Sequence, residues 1–578
     1  MAGPGGVSPA GGVEISYGEA GYKGLFREPY ILSLACFASI GGVLFGDSYD
    51  QGVISGVLVM NNFAKQFPLL ASDDTLQGWM VAVLTLGAMF GALANGPIAD
   101  RLSRRWSILL ANIIFLIGSI IQAASINIPM IFVGRFIAGL SVGQLSMVVP
   151  LYLSELAPPN LRGSLVAMQQ LGITVGIMVA FWLDYGTQHI GGTGDGQSPA
   201  AWRFPLAFQC VPSVILGAGT FFLPYSPRWL VMKDCEEEAR ATLIRIRRVP
   251  ATDDRIRLEL LEIKAAAMFD QESTAAMYPG IESPVRIAFE RYKSLFTVRH
   301  LNRRLVIACL LQIIQQFTGI NAIIYYAPQI FRKIGLSGNS IDLLATGVVG
   351  VINFFSTIPA IMFMDRWGRK KVLIIGAVGM SISQLIVGTI SAVYKDSLAN
   401  HPAAGWASAV FIWLYISNFA FSIGCVNWIM PSEIFPPGVR SQAVGVAIGT
   451  NWLSNVRHNP LEYSSTNRIS SLSPSLPPAC CLPLNLAHFT FSLVSLISVP
   501  ASPANSPGFC LFLGVWVYFF VPETKGVRIE EMDKLFGGNQ GVEDMQRIAN
   551  IRLQLGIVSG DMEKDKAGHI STSQVESI

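Results

Sequence analysis

Apolar stretches of about twenty residues recur along the chain, each long enough as a helix to cross a bilayer core of ~30 Å. Spans are predicted near 31–60, 78–99, 107–125, 129–151, 164–185 and 205–224. A charged stretch follows, and then spans near 303–331, 342–364, 372–394 and 407–431. Between 226 and 302, acidic and basic residues alternate with apolar ones, as in Glu236-Glu237-Glu238-Ala239-Arg240 and Leu258-Glu259-Leu260-Leu261. That pattern predicts amphipathic surface helices joining two halves. Composition supports the spans: 51% of the 578 residues are hydrophobic and 14% charged, where a soluble protein carries roughly 25% charged residues.

The basic residues orient the spans. After the second come Arg101, Arg104 and Arg105, after the fourth Arg162, and after the sixth Arg228 and a basic cluster. After the eighth come Arg366, Arg369, Lys370 and Lys371, and after the tenth Arg440. Odd-numbered spans are followed by only a few, such as Lys65, Arg203 and Lys395. The positive-inside rule puts the even loops, and hence the N-terminus, in the cytoplasm. Residues 1–24 are Gly-rich and polar, with no apolar core of a cleavable signal. The net charge of +3 is small for this length and gives no sign of nucleic-acid binding. The eight cysteines are scattered apart from Cys480-Cys481, without metal-ligand spacing or a disulfide framework.

Two polar patterns occur twice. Asp100-Arg101-Leu102-Ser103-Arg104-Arg105 is echoed by Asp365-Arg366-Trp367-Gly368-Arg369-Lys370, an offset of 265 residues. Glu155-Leu156-Ala157-Pro158-Pro159-Asn160-Leu161-Arg162 is echoed by Glu433-Ile434-Phe435-Pro436-Pro437-Gly438-Val439-Arg440, an offset of 278. A duplicated apolar chain with polar clusters at matching places predicts two bundles that rock around a central site, as in a secondary transporter. An enzyme is not expected: there is no Walker A run, metal-ligand spacing or nucleophile–His constellation.

Five stretches carry a family resemblance: Val149-Pro150-Leu151-Tyr152-Leu153-Ser154-Glu155, Ser226-Pro227-Arg228-Trp229-Leu230, Gln315-Gln316-Phe317-Thr318-Gly319-Ile320-Asn321, Asn451-Trp452-Leu453-Ser454-Asn455 and Val521-Pro522-Glu523-Thr524-Lys525-Gly526. In this order they resemble the sugar porter family of the major facilitator superfamily, most closely its fungal branch, over residues 30–455 and 508–536. The resemblance implies an all-α membrane protein with the major facilitator fold: two six-helix bundles, twelve spans and a cytoplasmic helical linker. The corresponding domains are a cytoplasmic tail 1–29, an N-terminal bundle 30–225, a linker 226–302, a C-terminal bundle 303–522 and a cytoplasmic tail 523–578. It implies a monomeric plasma-membrane importer of a monosaccharide by proton symport, with both termini cytoplasmic and no cofactor. An uncoupled facilitator, or a sensor that binds sugar without moving it, are the alternatives.

Gln315, Gln316 and Asn321 interrupt an otherwise apolar seventh span. An amide in hydrocarbon costs several kcal/mol unless it is hydrogen-bonded. Amides that only knit helices together are one reading; three within two turns, close to Gly319, favour a polar cavity suited to sugar hydroxyls. The resemblance extends the sugar-binding role to Gln170, Asn353, Trp428 and Asn451, the tryptophan offering an apolar face and an N–H donor. Asp50 in the first span and Arg135 in the fourth are charges at membrane depth, costing at least ~2.5 kcal/mol. By resemblance to proton-coupled members, Asp50 takes a proton from outside and loosens its hold on Arg135; a pair that merely locks the bundle is the other reading. Asp100, Arg101, Arg104, Arg105, Glu155, Arg162, Asp365, Arg366, Arg369, Glu433 and Arg440 are expected to form an inter-bundle ion-pair network closing the cytoplasmic face.

Four departures from the family pattern stand out. The first span reads Gly46-Asp47-Ser48-Tyr49-Asp50-Gln51-Gly52, two residues longer than the family's Gly-Tyr-Asp run. Ser103 replaces a glycine and Tyr225 a glutamate. Gly424-Cys425-Val426-Asn427-Trp428 lacks two prolines, so a weaker kink is expected in the tenth span. Residues 456–507 hold eleven Ser, eight Pro and no Gly, and disrupt the expected eleventh span. This stretch reads as translated non-coding sequence, such as a retained intron, whose retention would leave an inactive product; a genuine lineage-specific loop is the other reading.

Overall fold

The computed structural model describes residues 26–43, 49–158, 160–192, 196–277, 283–333, 341–394, 401–467, 506–525, 547 and 550–556. Among these residues there is no strand. The amino-terminal half comprises α1 (Pro29–Val43), α2 (Tyr49–Val57), α3 (Asp74–Leu102), α4 (Arg104–Ala123), α5 (Ile128–Leu156), α6 (Arg162–Thr187), α7 (Ala200–Phe208) and α8 (Cys210–Thr220). A linker of α9 (Glu236–Arg247), α10 (Asp254–Met277) and α11 (Pro284–Thr297) follows. The second half contains α12 (Arg299–Phe317), α13 (Ile320–Lys333), α14 (Ile341–Trp367), α15 (Arg369–Val393), α16 (Pro402–Phe421), α17 (Ile423–Ile434), α18 (Arg440–Asn467) and α19 (Ser506–Phe520).

Side chains fix several helix starts. The Asp73 carboxylate accepts from the N–H groups of Thr75 and Leu76 at 2.8 and 3.3 Å, opening α3. Asn127 does the same for Met130 at 2.9 Å, opening α5. Seven helices among the described residues are long and apolar enough to span a membrane, with Pro29–Ser39 and Gly508–Phe520 as shorter apolar helices. Other expected spans fail that test because they are broken or polar. The seventh divides into α12 and α13, the sixth into α7 and α8 at Gln209, and α18 carries amides along its length.

The halves meet most extensively along two helix pairs, α3 with α18 and α6 with α14. Trp452 on α18 donates its indole N–H across this seam to Ser146 Oγ, at 3.2 Å. The linker spans both halves on the side of the charged loops. Tyr292 on α11 donates to Leu93 O at 2.7 Å, while Arg291 reaches Asp270 at 3.2 Å, close to Gly438. Burial raises the Asp270 carboxyl above its usual range, against the pull of Arg291.

Of the aberrant stretch 456–507, residues 456–467 continue α18 as helix and Ser506 and Pro507 open α19; residues 468–505 lie outside the described residues. So do residues 44–48, where the first span carries its extra length. The tenth span is interrupted despite its missing prolines. Ser422 takes φ −113° and ψ −97° between α16 and α17, and its hydroxyl donates to Asn418 O at 2.6 Å. A serine bonded back to the preceding turn does here what a proline was expected to do.

Candidate functional site

The break in the seventh span builds the site. Gly319 sits at φ +90°, where only glycine is unstrained, and separates α12 from α13. A helix broken inside an apolar bundle leaves a carbonyl to satisfy. Here the Thr318 carbonyl accepts from the Tyr415 hydroxyl at 2.9 Å and the Gln384 amide at 2.8 Å. The break directs Gln315 and Gln316 from one half-helix and Asn321 from the other into one cavity.

That cavity leaves about 40 Å³ for the centres of water-sized molecules, room for a small cluster of waters. Its lining comes from both halves. Gln51 on α2 and Gln170, Ile173 and Ile177 on α6 face the eight residues of α12, α13, α14, α16 and α17, with Asn451 and Asn455 from α18. All seven residues expected to bind substrate line it: Gln170, Gln315, Gln316, Asn321, Asn353, Trp428 and Asn451.

The amides satisfy one another. Gln316 Nε2 donates to Asn451 Oδ1 at 2.6 Å, and Asn321 Nδ2 donates to Gln316 Oε1. Asn451 Nδ2 donates to Gln312 Oε1 and Gln315 Oε1 at 2.6 and 2.8 Å. Asn427 Nδ2 also donates to Gln312 and Gln315, and Gln312 Nε2 donates to Asn427 O at 3.0 Å. Across the seam, Trp428 donates its indole N–H to Gln170 Oε1 at 2.9 Å. Among the described residues, Asn353 Oδ1 and Asn427 Oδ1 are buried without a partner. Amides held mainly by other amides can exchange those bonds for hydroxyls, since each carries both donors and an acceptor.

Sequence reasoning missed Gln51, Gln312, Asn427 and Asn455. The signal was helical spacing: Gln312 precedes Gln315 and Gln316 by about one turn, and Asn455 follows Asn451 by about one turn. Asn427 lay within the stretch noted only for its missing prolines.

Asp50 and Arg135 are both fully buried, with Oδ2 and Nη1 3.3 Å apart. Arg135 Nε also donates to Met80 O at 2.7 Å. The extra residues before Tyr49 therefore leave α2 in a register that pairs the acid with the arginine.

The duplicated loops form two matching clusters. Arg104 holds Glu155 at 2.9 Å and Asp100 at 3.3 Å; Arg369 holds Glu433 at 2.7 Å and Asp365 at 3.1 Å. These four ion pairs lie inside each half, whereas the expected network joined the halves. Between the halves, hydrogen bonds reach the two aspartates. Ser441 Oγ and Gln442 Nε2 donate to Asp100 Oδ2 at 2.6 and 3.2 Å, and the Ser164 N–H and hydroxyl donate to Asp365 Oδ2 at 3.0 and 2.6 Å. Arg162 donates to Ser154 O at 3.3 Å and Arg440 to Phe435 O at 3.1 Å. Arg101 and Arg366 are exposed. Arg105 donates to Phe221 O at 2.8 Å and lies over the ring of Tyr225, whose hydroxyl accepts from Trp106 Nε1 at 3.0 Å. In the second half Glu523 instead accepts the backbone N–H groups of Arg369 and Lys370, at 2.9 and 3.1 Å.

Known proteins resemble this arrangement along most of its length. The family model described as "Sugar (and other) transporter" matches residues 34–536. The major facilitator-type transporter ecdD of Aspergillus rugulosus is 36% identical over 522 residues, covering 88% of this chain and 87% of its own. The glucose transporter GlcP of Staphylococcus epidermidis is 35% identical over 86% of this chain and 95% of its own. The solved proton:xylose symporter XylE bound to 6-bromo-6-deoxy-D-glucose matches with TM-score 0.68 and 28% identity, over 88% of this chain and 99% of its own. XylE from E. coli in its inward-open conformation matches with TM-score 0.60 and 28% identity, over 88% of this chain and 100% of its own.

Proposed function

The chain belongs to the sugar porter family of the major facilitator superfamily, whose members are membrane transporters and not enzymes, and we propose that it imports a monosaccharide across the plasma membrane with a proton. The observation that carries the sugar reading is the two-sided amide cavity. Gln170 and Gln51 approach from one half and the Gln315/Gln316/Asn321/Asn451 cluster from the other, so one substrate touches both bundles. A relative is a probable quinate permease, but quinate carries a carboxylate, and none of the lining residues is basic. Neutral amides with Trp428 beside them suit a neutral polyhydroxylated ring.

Sugar entering from outside would replace amide–amide bonds with amide–hydroxyl bonds and draw the halves together. Closing the outer face and opening the inner one then requires the two aspartate–serine contacts to release. Coupling rests on Asp50 and Arg135. Protonating Asp50 discharges the acid and frees Arg135 to keep only its bond to Met80 O. With about −100 mV and one pH unit, a proton supplies ~3.7 kcal/mol, on the order of several-hundred-fold accumulation.

The test is radiolabelled monosaccharide uptake in a host lacking its own carriers, with and without a protonophore. Collapse of concentrative uptake by the protonophore is the expected result. Uptake that accumulates sugar regardless of the protonophore overturns the symport reading, equilibrating uptake identifies a facilitator, and binding without uptake identifies a sensor.

A further inference from the structure

A second buried acid lies in the amino-terminal half, apart from the amide cavity and the loop clusters. Asp184 sits near the end of α6 and is fully enclosed. Neither carboxylate oxygen has a hydrogen-bond partner, and among the described residues no basic side chain pairs with it. The backbone of Gly56 lies close to the carboxyl without completing a hydrogen bond to either oxygen.

The acid is pressed against α2. Gly52 and Gly56, about one turn apart, face Ala180 and Asp184, with the same spacing on α6. A Cβ on Gly52 would lie 2.8 Å from Ala180 Cβ, and one on Gly56 would lie 2.3 Å from Asp184 Oδ2. Two small residues four apart let helix backbones touch inside a membrane. Other charged groups nearby are few, and most are committed. On α2, Tyr49 donates to Pro205 O at 2.9 Å, and Asp50 faces Arg135. On α5, Arg135 holds Asp50 and Met80 O. On α7, Arg203 is turned to Ser125 O, at 3.2 Å, and to the ring of Trp202. Along α14, Gly350 and Gly347 lie against Met178 and Trp182. On α6 itself, Tyr185 stacks edge-on against His189.

An ionised carboxylate with no partner in such surroundings costs many kcal/mol, so the group keeps its proton. A merely structural residue at this contact needs no acid. Moreover, α2 both carries Asp50 and covers Asp184, so one displacement of this nine-residue half-helix uncovers both. We propose that Asp184 is a second proton-binding carboxyl: it holds its proton while α2 lies on it and exchanges it when the first span moves off α6. The carboxyl O–H bond breaks as its proton passes to water admitted at the opened seam, leaving the carboxylate and hydronium, and it re-forms by taking a proton from hydronium before the seam closes. This rests on the proton-coupled reading of the first span.

The full chain is purified into lipid vesicles, and the carbonyl stretch of protonated carboxylic acids is recorded by infrared spectroscopy at neutral pH. Asp184→Asn is expected to lose a band that Asp50→Asn retains. An unchanged Asp184→Asn spectrum overturns the proposal. Uptake then separates it from the symport reading. Asp184→Asn is expected to keep sugar exchange at equal concentrations on both sides, which reports a folded protein. Its ratio of uptake at acidic to neutral external pH is expected to fall towards one. An unaltered ratio, with wild-type uptake still collapsed by a protonophore, removes Asp184 from the cycle and leaves Asp50 in it. Wild-type uptake indifferent to the protonophore overturns both.

Discussion

Ser103 and Gly368 occupy equivalent turns with almost the same backbone, φ 86° and ψ 159° against φ 87° and ψ 158°. That region suits glycine alone and costs a residue with a Cβ ~1–3 kcal/mol. Ser103 recovers part of the cost by accepting the Trp106 N–H at 3.4 Å, a long bond. Ser103→Gly should therefore raise the unfolding midpoint in detergent, with a gain of about 1 kcal/mol. Gly368→Ser should lower it by more, because its Cβ would meet Glu523 Oε2 at 2.4 Å. In the cavity, Trp428→Phe keeps the apolar face but removes the donor to Gln170. Sugar affinity measured by binding calorimetry should fall by about 1 kcal/mol, roughly fivefold. Gln315, Gln316 and Asn321 were legible because polar residues stand out in an apolar run, whereas Gln170, Asn353, Trp428 and Asn451 came only from the family resemblance. Asp184 was not: near the end of a span, it reads as ordinary interfacial charge until its burial is known.

Helix ends and breaks were less legible than helices. Gly319 beside three amides pointed to a polar cavity in the seventh span but not to its division into two helices. The division of the tenth could not be read either, since it depends on a serine hydroxyl reaching back one turn and on Gly376, where an added Cβ would lie 1.9 Å from Ser422 Oγ. Gly376→Leu should thus disturb both α15 and α17 and cost several kcal/mol in unfolding, by overpacking at backbone contact. The loop clusters act at the same scale. Removing the hydroxyls in Ser164→Ala and Ser441→Ala weakens closure of the cytoplasmic face while leaving both internal ion pairs intact. Each should shift the balance towards the inward-open state by about 1 kcal/mol, measured as faster thiol labelling of a cysteine placed in the cytoplasmic vestibule. Sequence spacing predicted which residues gather there. It could not say that arginine–carboxylate pairs would close within each half, because a matching acid was available both locally and across the seam.

For the whole molecule, the twofold organisation was visible in the repeated motifs, and family membership followed. What composition marks as foreign is the stretch from 456 to 507. Sequencing the transcript across codons 440–530 is expected to reveal messengers in which most of it is absent, encoding an uninterrupted eleventh span after Asn455. Messengers that all retain it would show that this chain is made as it stands, and sugar uptake by that form would remove the retained-intron reading altogether. The amide cavity draws Asn451 and Asn455 from the helix directly before this stretch, so site and anomaly are joined through α18.

Two contacts across the cytoplasmic seam are reciprocal. Asp100 of the first half receives Ser441 and Gln442 of the second; Asp365 of the second receives Ser164 of the first. The same joint is used twice with donor and acceptor bodies exchanged, which is the signature of a self-complementary dimer. A single six-helix body bearing one acid and one donor at these places would already have what it needs to fasten onto a second copy of itself.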